Sequence, residues 1–256
     1  MLNLHIFLIA TFLVCVCSAQ HLAVVAPLEP LPNKSPQSAA VPRRLLDADP
    51  DALFSQLISA DPKHQQQALV KFEISSRGVG HAQDVRYFAV NLDADEQLER
   101  VLIVRHNSDA TALVLKKQDD VWWDVGSFMC CGPGGRTPEE ILDLKQCVWY
   151  GTNDIVIRNG GSQGTGVGER RIQVYRMLEG KLYKVFDIVK DAYNMAGSES
   201  SHVIFPDANS SEWPRVIAVQ RTEESKGRRK QTCVHYVWNS EHFIFAPKPP
   251  RQGNCK

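Results

Sequence analysis

Oxygen-bearing side chains cluster in one short segment of the sequence, between two apolar stretches. Asn91, Asp93, Asp95 and Glu99 stand at the first, third, fifth and ninth positions of this segment. A hard cation such as calcium prefers convergent carboxylate and carbonyl oxygens at such a spacing. Neighbouring carboxylates also repel one another unless a cation neutralises them. The four residues are therefore candidate metal ligands, and calcium is the candidate cofactor.

The segment resembles the cation-binding loop of FG-GAP repeats, found in integrin α propellers, and of the related bacterial VCBS repeats. In these families the loop lies between the first two strands of a blade. The resemblance implies calcium ligands at Asn91, Asp93, Asp95 and Glu99, with a backbone carbonyl near Gln97. Glu96 stands where the families have glycine. Two interpretations stay open: a calcium site, or a polar hairpin that has kept the loop shape without the ion and is neutralised by Arg100.

Strand-like segments recur three times in the rest of the chain. Each recurrence contains four short segments with alternating apolar residues, and the units begin near Val85, Ile141 and Ser201. Four-stranded meanders at a regular period are typical of propeller blades, although an antiparallel sandwich satisfies the same pattern. We predict a mainly β fold with antiparallel four-stranded repeat units, as a propeller-like stack or a sandwich. The β domain spans residues 80–250, with units at about 85–136, 141–190 and 201–246.

The other two units lack a complete set of candidate ligands. The third unit offers Asp207 and Asn209, but Arg215 stands where a carboxylate is expected. The second unit has only a short turn that ends at Asp154. The sequence therefore leaves one candidate metal site, in the first unit.

The N-terminal residues predict export. Residues 1–19 contain an apolar run, from Ile6 to Val16, and then small residues before Gln20. This is the pattern of a signal peptide cleaved near Ala19-Gln20, which would make the protein secreted or periplasmic. The run is too short to span a bilayer, and no transmembrane segment is predicted. Residues 20–48 are rich in proline and predict a disordered tether.

Two Asp-Pro pairs predict the starts of two helices. Asp49-Pro50 and Asp61-Pro62 each place an N-cap residue before a proline in the first helical turn. The stretch resembles one hairpin of the HEAT type. We predict a helical hairpin over residues 49–78 that packs on the β domain, with dimerisation as the alternative role.

Five cysteines lie beyond the predicted signal peptide: Cys130, Cys131, Cys147, Cys233 and Cys255. Cysteines of exported proteins tend to pair. Two bridges among five cysteines allow fifteen arrangements, so the sequence leaves the connectivity open. Adjacent cysteines rarely bond each other, and the favoured pairing is Cys233 with Cys255 and Cys147 with one member of the adjacent pair. Without a Cys-x-x-Cys or a spaced histidine pair, the sequence does not favour a zinc site.

One segment matches a catalytic motif. Residues 160–164 spell G-x-S-x-G, the nucleophile elbow of α/β-hydrolases, with Ser162 as nucleophile and His235 or His242 as a downstream base. That motif needs a sharp turn from a strand into a helix, whereas the residues that follow read as another strand. A glycine-rich hairpin loop is the favoured interpretation.

Two surface features are candidates for binding. Trp122 and Trp123 face opposite sides of one strand, so Trp123 is a core residue and Trp122 could stack on a sugar or make an ordinary packing contact. A basic hairpin tip is formed by Lys226, Arg228, Arg229 and Lys230. A solvated turn is its default interpretation, and contact with an anion or lipid headgroup is the alternative.

The overall charge provides no long-range attraction to two classes of partner. Lys plus Arg and Asp plus Glu each number 29, so no global field recruits nucleic acid or an anionic membrane. We predict an exported, non-enzymatic binding or interaction module with an unknown protein or glycan partner. The alternatives are a serine hydrolase using Ser162 and a carbohydrate-binding module using Trp122.

Overall fold

The computed structural model describes residues 37–38, 44–74, 84–105, 110–130, 143–149, 151–162, 167–209 and 215–255. The predicted signal peptide and most of the predicted tether lie outside these residues. The helices are α1 (Pro50–Leu57) and α2 (Pro62–Lys71). The strands are β1 (Gln37–Ser38), β2 (Arg44–Leu46), β3 (Asp84–Val90), β4 (Glu99–Arg105), β5 (Ala110–Gln118), β6 (Val121–Cys130), β7 (Asp143–Lys145), β8 (Asp154–Ser162), β9 (Gly168–Leu178), β10 (Lys181–Asn194), β11 (Gly197–Ile204), β12 (Val216–Ser225), β13 (Arg228–Asn239), β14 (Ile244–Pro247) and β15 (Arg251–Gln252).

Both helices begin at the predicted Asp-Pro pairs. The Asp49 carboxylate accepts a hydrogen bond from the Asp51 N–H at 3.1 Å, and the Asp61 carboxylate accepts one from the Lys63 N–H at 2.9 Å. Each cap satisfies a backbone donor that has no partner within the helix. The predicted helical hairpin is confirmed over residues 50–71, while residues 75–78 lie outside the described part of the chain.

The fold is mainly β with antiparallel sheets, as predicted, and its strands follow one another as antiparallel meanders. We call β3–β6 the first unit, β7–β10 the second unit and β11–β14 the third unit. The first unit, with β2 added at its edge, forms a sheet in the order β2-β6-β5-β4-β3. The second and third units form one continuous sheet in the order β14-β13-β12-β11-β10-β9-β8-β7, with β1 on β10 and β15 on β13. The blades of a propeller are separate sheets. The second and third units share one sheet here, so this arrangement does not match the predicted propeller-like stack.

Part of the predicted tether forms strands. Arg44–Leu46 pairs with β6, and Gln37–Ser38 pairs with β10. Proline content predicts a chain without regular structure, but it does not reveal that short segments between prolines can add to the edge of a sheet.

The first unit is the middle layer of the fold. One face of its sheet packs against α1 and α2 in a shared apolar core, where Phe54 of α1 stacks on Tyr87 of β3 with 4.4 Å between ring centroids. The other face packs against β8, β9 and β10 in a second core. The two sheets approach closely at Gly126, because a Cβ there would lie 2.5 Å from Leu182 Cδ1.

The third unit curves over the opposite face of the second unit. Phe186 of β10 packs edge-on against Tyr236 of β13 at 5.1 Å and against Phe245 of β14 at 6.0 Å between ring centroids. These rings belong to a third apolar core that joins the two units. Among the described residues, neither helix has the length and apolar character that crossing a membrane requires.

Candidate functional site

The acidic segment of the first unit forms the loop that joins β3 to β4, and its own side chains fold it. Asn91 Oδ1 accepts a hydrogen bond from the Ala94 N–H at 2.8 Å. Asp93 Oδ1 and Asp95 Oδ1 accept from backbone N–H groups two residues ahead, at 3.3 Å and 2.8 Å. The loop residue with a left-handed backbone conformation is Ala94, whose φ is 71°. Each of these acids therefore uses one oxygen to shape the loop.

The remaining carboxylate oxygens converge on a lysine. Lys116 Nζ lies 2.6 Å from Asp93 Oδ2, 2.5 Å from Asp95 Oδ2 and 3.0 Å from Glu99 Oε1. Both Lys116 and Glu99 are buried, at 5% and 1% exposure. Glu99 Oε2 accepts a hydrogen bond from the Leu92 N–H at 2.8 Å. One oxygen each of Asp93, Asp95 and Glu99 lies within 4.8 Å of the others, and the ammonium group of Lys116 occupies the position between them that a cation would take. Calcium binding at this loop stays a prediction.

Strand pairing explains how Lys116 reaches this position. Arg100 of β4 pairs with Leu115 of β5, so the residues next to them, Glu99 and Lys116, face each other. Burial acts to lower the pKa of Lys116, but hydrogen bonds to the three carboxylates outweigh it, and the net pKa is raised. The hydrogen bond to Lys116 lowers the pKa of Asp95. Burial raises the pKa of Glu99 despite opposing hydrogen bonds from Leu92 and Lys116.

Arg100, the alternative neutralising group, makes its ion pair outside the loop and contacts the loop only at the Leu98 carbonyl oxygen among the described contacts. Its guanidinium turns toward the helices and makes a two-pronged ion pair with Asp51 of α1, at 2.9 Å and 3.1 Å. It also lies over the ring of Trp122, 5.5 Å from the centroid. Arg100 therefore fastens α1 to the sheet, and sequence reasoning missed Lys116, which lies far from the loop in the sequence.

The second unit has an equivalent ion pair. Asp154, the first residue of β8, is fully buried and lies opposite Arg176 of β9, with Nη1 to Oδ1 at 2.9 Å. Its other oxygen accepts hydrogen bonds from the N–H groups of Cys147 and Val148, both at 3.0 Å. Burial raises the pKa of Asp154, and Arg176 acts against that shift. As in the first unit, the acid that starts the second strand anchors the preceding loop.

The third unit reverses the charge at this position. Arg215 immediately precedes β12, is 3% exposed, and donates through Nη1 to the Asp207 carbonyl oxygen at 2.6 Å. Asp207 Oδ1 accepts from the Asn209 N–H at 2.9 Å, which repeats the turn made by Asp93. On the neighbouring strand β13, the Trp238 N–H donates to the Arg215 carbonyl oxygen. All three loops are thus braced by a buried charged side chain at the start of the second strand.

The first two loops are also bonded to each other. The Asn153 N–H donates to the Asn91 carbonyl oxygen at 2.8 Å, and the Asn153 side chain donates to the same oxygen at 3.3 Å. Asn91, a predicted ligand, therefore joins the two units through its carbonyl while its side chain folds the loop.

The other predicted site residues are placed as follows. Trp122 is partly buried against the helical core, and Trp123 packs into the core between the sheets. Ser162 ends β8 and pairs with Gly168 of β9, so a strand follows the motif within the hairpin instead of the helix that a nucleophile elbow requires.

The cysteine prediction is confirmed in part. Cys233 and Cys255 form a disulfide bond. Cys147 is buried at the second-unit loop. Cys131 lies outside the described residues, so a bridge from Cys147 to Cys130 or Cys131 stays a prediction.

Comparison with known proteins adds no family. Neither a family model, nor a curated protein, nor a solved structure matches the chain. The resemblance to FG-GAP and VCBS repeats therefore stays a prediction, and the function has to be argued from this chain's own geometry.

Proposed function

We propose that this protein is an exported, non-enzymatic binding module whose binding surface is formed by the tips of hairpins β10–β11 and β12–β13. We call this surface the hairpin end. The observation that supports it is a half-exposed aromatic ring at one turn and four exposed cations at the next, with the two turns bonded to each other. Such an exposed, charged surface suits contact with a macromolecule better than the enclosure of a small substrate.

Two contacts fix the turns to one another. Ser225 Oγ donates to the Ala196 carbonyl oxygen at 3.2 Å. At Gly197 the two backbones pass so closely that a Cβ would lie 2.3 Å from the Glu224 carbonyl oxygen. Asn194 Oδ1 accepts from the N–H groups of Ala196 and Gly197, at 2.8 Å and 3.1 Å, and shapes the β10–β11 turn. The hairpin end is therefore preorganised, which lowers the entropic cost of binding.

The apolar part of the hairpin end consists of Tyr193 and Met195, which are 49% and 96% exposed. The ring of Tyr193 lies against the backbone of Gly168, because a Cβ on Gly168 would lie 2.5 Å from three of its atoms. One side of the ring is thereby supported by β9 while about half of the residue faces solvent. An aromatic ring held in this way can stack on a sugar.

The charged part of the hairpin end consists of Lys226, Arg228, Arg229 and Lys230, all exposed. Glu224 and Glu223 lie opposite Arg229 and Lys230 in the strand register, whereas Arg228 lies opposite Ser225. The tip therefore carries more positive than negative charge. In the strand register Tyr193 of β10 and Arg229 of β13 lie in one row, with Ser198 and Glu224 between them. Cations and a stacking ring spaced in this way suit an extended anionic polysaccharide, whose sulfate or carboxylate groups pair with Lys and Arg while a sugar ring stacks on the tyrosine.

We also propose that Lys116 replaces calcium in the first unit. Its ammonium makes three short ion pairs inside the loop, and Arg176 and Arg215 brace the corresponding loops of the other units. A module braced by its own cations holds its shape independently of the calcium concentration outside the cell.

Binding to dextran sulfate, with uncharged dextran as reference, tests the proposed surface. We expect dextran sulfate to bind the protein and the Kd to rise on the order of tenfold in Lys226→Gln/Lys230→Gln, at about 0.5–1 kcal/mol per exposed cation. The matched control is Lys63→Gln/Lys71→Gln, which removes two exposed cations from α2. Equal Kd values for the two variants would contradict the proposal.

Export has a separate test. The chain recovered from the periplasm or medium of an expressing host should begin at Gln20 by mass spectrometry. Retention in the cytoplasm with residues 1–19 attached would contradict export without bearing on the binding surface.

A further inference from the structure

A second cluster of metal-ligating side chains lies at the C-terminus, away from the acidic loop. Cys233 and His235 are two residues apart on β13 and face the same side, with Cys233 Sγ 3.8 Å from His235 Nε2. The C-terminal tail brings Cys255 to the same point, so that one ligand atom of each residue lies within 4.8 Å of the others. The described chain thus gathers two sulfurs and an imidazole nitrogen.

We propose that Cys233, His235 and Cys255 form a zinc site in the reduced protein, and that the disulfide bond closes this site in the oxidised protein. Zn–S and Zn–N bonds of about 2.3 Å and 2.0–2.1 Å place the ligand atoms of a tetrahedral site about 3.5–3.8 Å apart. The Sγ to Nε2 distance of 3.8 Å already meets this spacing. Thiolate and imidazole select zinc over calcium or magnesium, which prefer oxygen.

The two states interconvert by a balanced reaction. A dithiol reductant donates two electrons and two protons to the disulfide, which gives two cysteine thiols, and the reductant becomes its own disulfide. Zn²⁺ then binds the two sulfurs and displaces both thiol protons. His235 binds as neutral imidazole, and three protein ligands leave the fourth position open to water.

Backbone pairing keeps the tail in place without the disulfide. The short strand β15 pairs with β13, with Arg251 opposite Cys233 and Gln252 opposite Thr232. The Gly253 N–H also donates to the Gln231 carbonyl oxygen at 3.1 Å. Cys255 therefore remains close to Cys233 after reduction.

Gln220 holds the last part of the tail. It lies opposite Cys233 on β12, and its Oε1 accepts from the Cys255 N–H at 2.9 Å. Its Nε2 donates to Asn254 Oδ1 at 3.0 Å. Gln220 is thus a positioning residue for Cys255, because it orients the backbone that carries the thiol.

Cobalt titration tests the site, because thiolate-to-cobalt charge-transfer bands report sulfur ligation directly. The reduced protein should bind Co²⁺ with these bands and release it to Zn²⁺, and the oxidised protein should show no such bands. Cys233→Ser/Cys255→Ser should abolish the bands. His235→Ala should weaken Co²⁺ binding and change its visible spectrum, while His202→Ala, at an exposed position on β11, should leave both unchanged.

The positioning role has its own readout. Gln220→Ala should weaken Co²⁺ affinity on the order of tenfold while keeping the bands of the three-ligand site, as expected when support around a ligand is lost. Gln220→Glu keeps the acceptor for the Cys255 N–H and should retain most of the affinity.

Two results would overturn the proposal. Charge-transfer bands that persist in Cys233→Ser/Cys255→Ser would assign the metal to other cysteines. A reduced protein that loses its β-sheet circular dichroism, or that keeps it and gives no bands, would show that this cluster does not survive reduction as a metal site.

Discussion

Lys116 and Glu99 face each other across β4 and β5, with 3.0 Å between the ammonium nitrogen and Oε1. The corresponding residues of the second unit, Arg176 and Asp154, also form an ion pair, at 2.9 Å. In both units the acid accepts backbone N–H groups of the preceding loop, and the base comes from the third strand. The pair therefore couples the conformation of a loop to the pairing of three strands.

Removal of the buried ammonium should destabilise the protein strongly. Lys116→Met leaves Glu99 and two aspartates without their common partner, and breaking a buried pair costs about 3–5 kcal/mol. The control is Lys117→Met, which removes a partly exposed pair with Asp120 worth about 0–1 kcal/mol. Urea unfolding gives both values. A Lys116→Met protein as stable as the Lys117→Met protein would show that the loop does not depend on the ammonium.

Calcium should affect only the protein that lacks Lys116. We expect the Tm of the natural protein to be the same in excess calcium and in chelator, because the ammonium occupies the centre of the carboxylates. In Lys116→Met three carboxylates surround a vacated position, and calcium at about 100 times its Kd should restore about 2.7 kcal/mol. A calcium-dependent Tm in the natural protein would support the original calcium prediction instead.

The strand pattern could be predicted from the sequence because it depends on local alternation of apolar residues. The four segments of each unit appear in order, and within the described residues β7 is limited to Asp143–Lys145. The ion pairs could not be predicted in the same way, since they depend on the register between strands. From the sequence alone, Lys116 would be assigned to the surface side of an apolar strand. The pairing of Arg100 with Leu115 in the structure shows that it lies beside Glu99.

The cluster of Cys233, His235 and Cys255 could not be predicted from the sequence for a related reason. Cys233 and His235 are close in sequence, but Cys255 joins them only because the tail adds β15 to β13. Rules for zinc ligands depend on spacing within one segment, so a third ligand brought by a two-residue strand escapes them. Pairing of Cys233 with Cys255 was predicted from the oxidising compartment, and the neighbouring histidine became visible only in the fold.

Loss of Arg176 should make stability depend on pH through Asp154. Burial raises the pKa of Asp154, so the folded state binds this proton more tightly than the unfolded state does, and this contribution to stability is lost as pH rises through the folded pKa. Arg176→Met removes the group that opposes this shift. The stability deficit of Arg176→Met should therefore shrink as pH falls from about 8 to about 5. Asp154→Asn/Arg176→Met has no carboxyl to titrate, and its deficit should stay constant over that range.

The ion pair between Arg100 and Asp51 should weaken in acid. The hydrogen bond from Arg100 holds the pKa of Asp51 below its ordinary value, so its stabilising effect is present above about pH 4 and is lost as pH falls through the folded pKa. Asp51→Asn and Arg100→Gln should each flatten the acid limb of the stability curve. The double variant should add little to either single variant. Additive effects would indicate that the two residues act independently.

Two glycines at the hairpin end should respond differently to alanine, because their neighbours differ in freedom. At Gly197 the new Cβ meets the Glu224 backbone carbonyl, which cannot move without disturbing the β11–β12 pairing. Gly197→Ala should therefore cost about 1–3 kcal/mol and weaken binding to dextran sulfate.

At Gly168 the Cβ meets the end of the Tyr193 ring, which can rotate away. Gly168→Ala should leave the free energy of unfolding nearly unchanged. It should raise the Kd for dextran sulfate about as much as Tyr193→Ala does. The expected increase is roughly three- to tenfold, for a lost stacking contact of about 0.5–1.5 kcal/mol. Unchanged binding in both Gly168→Ala and Tyr193→Ala would remove the tyrosine from the proposed surface and leave only its cations.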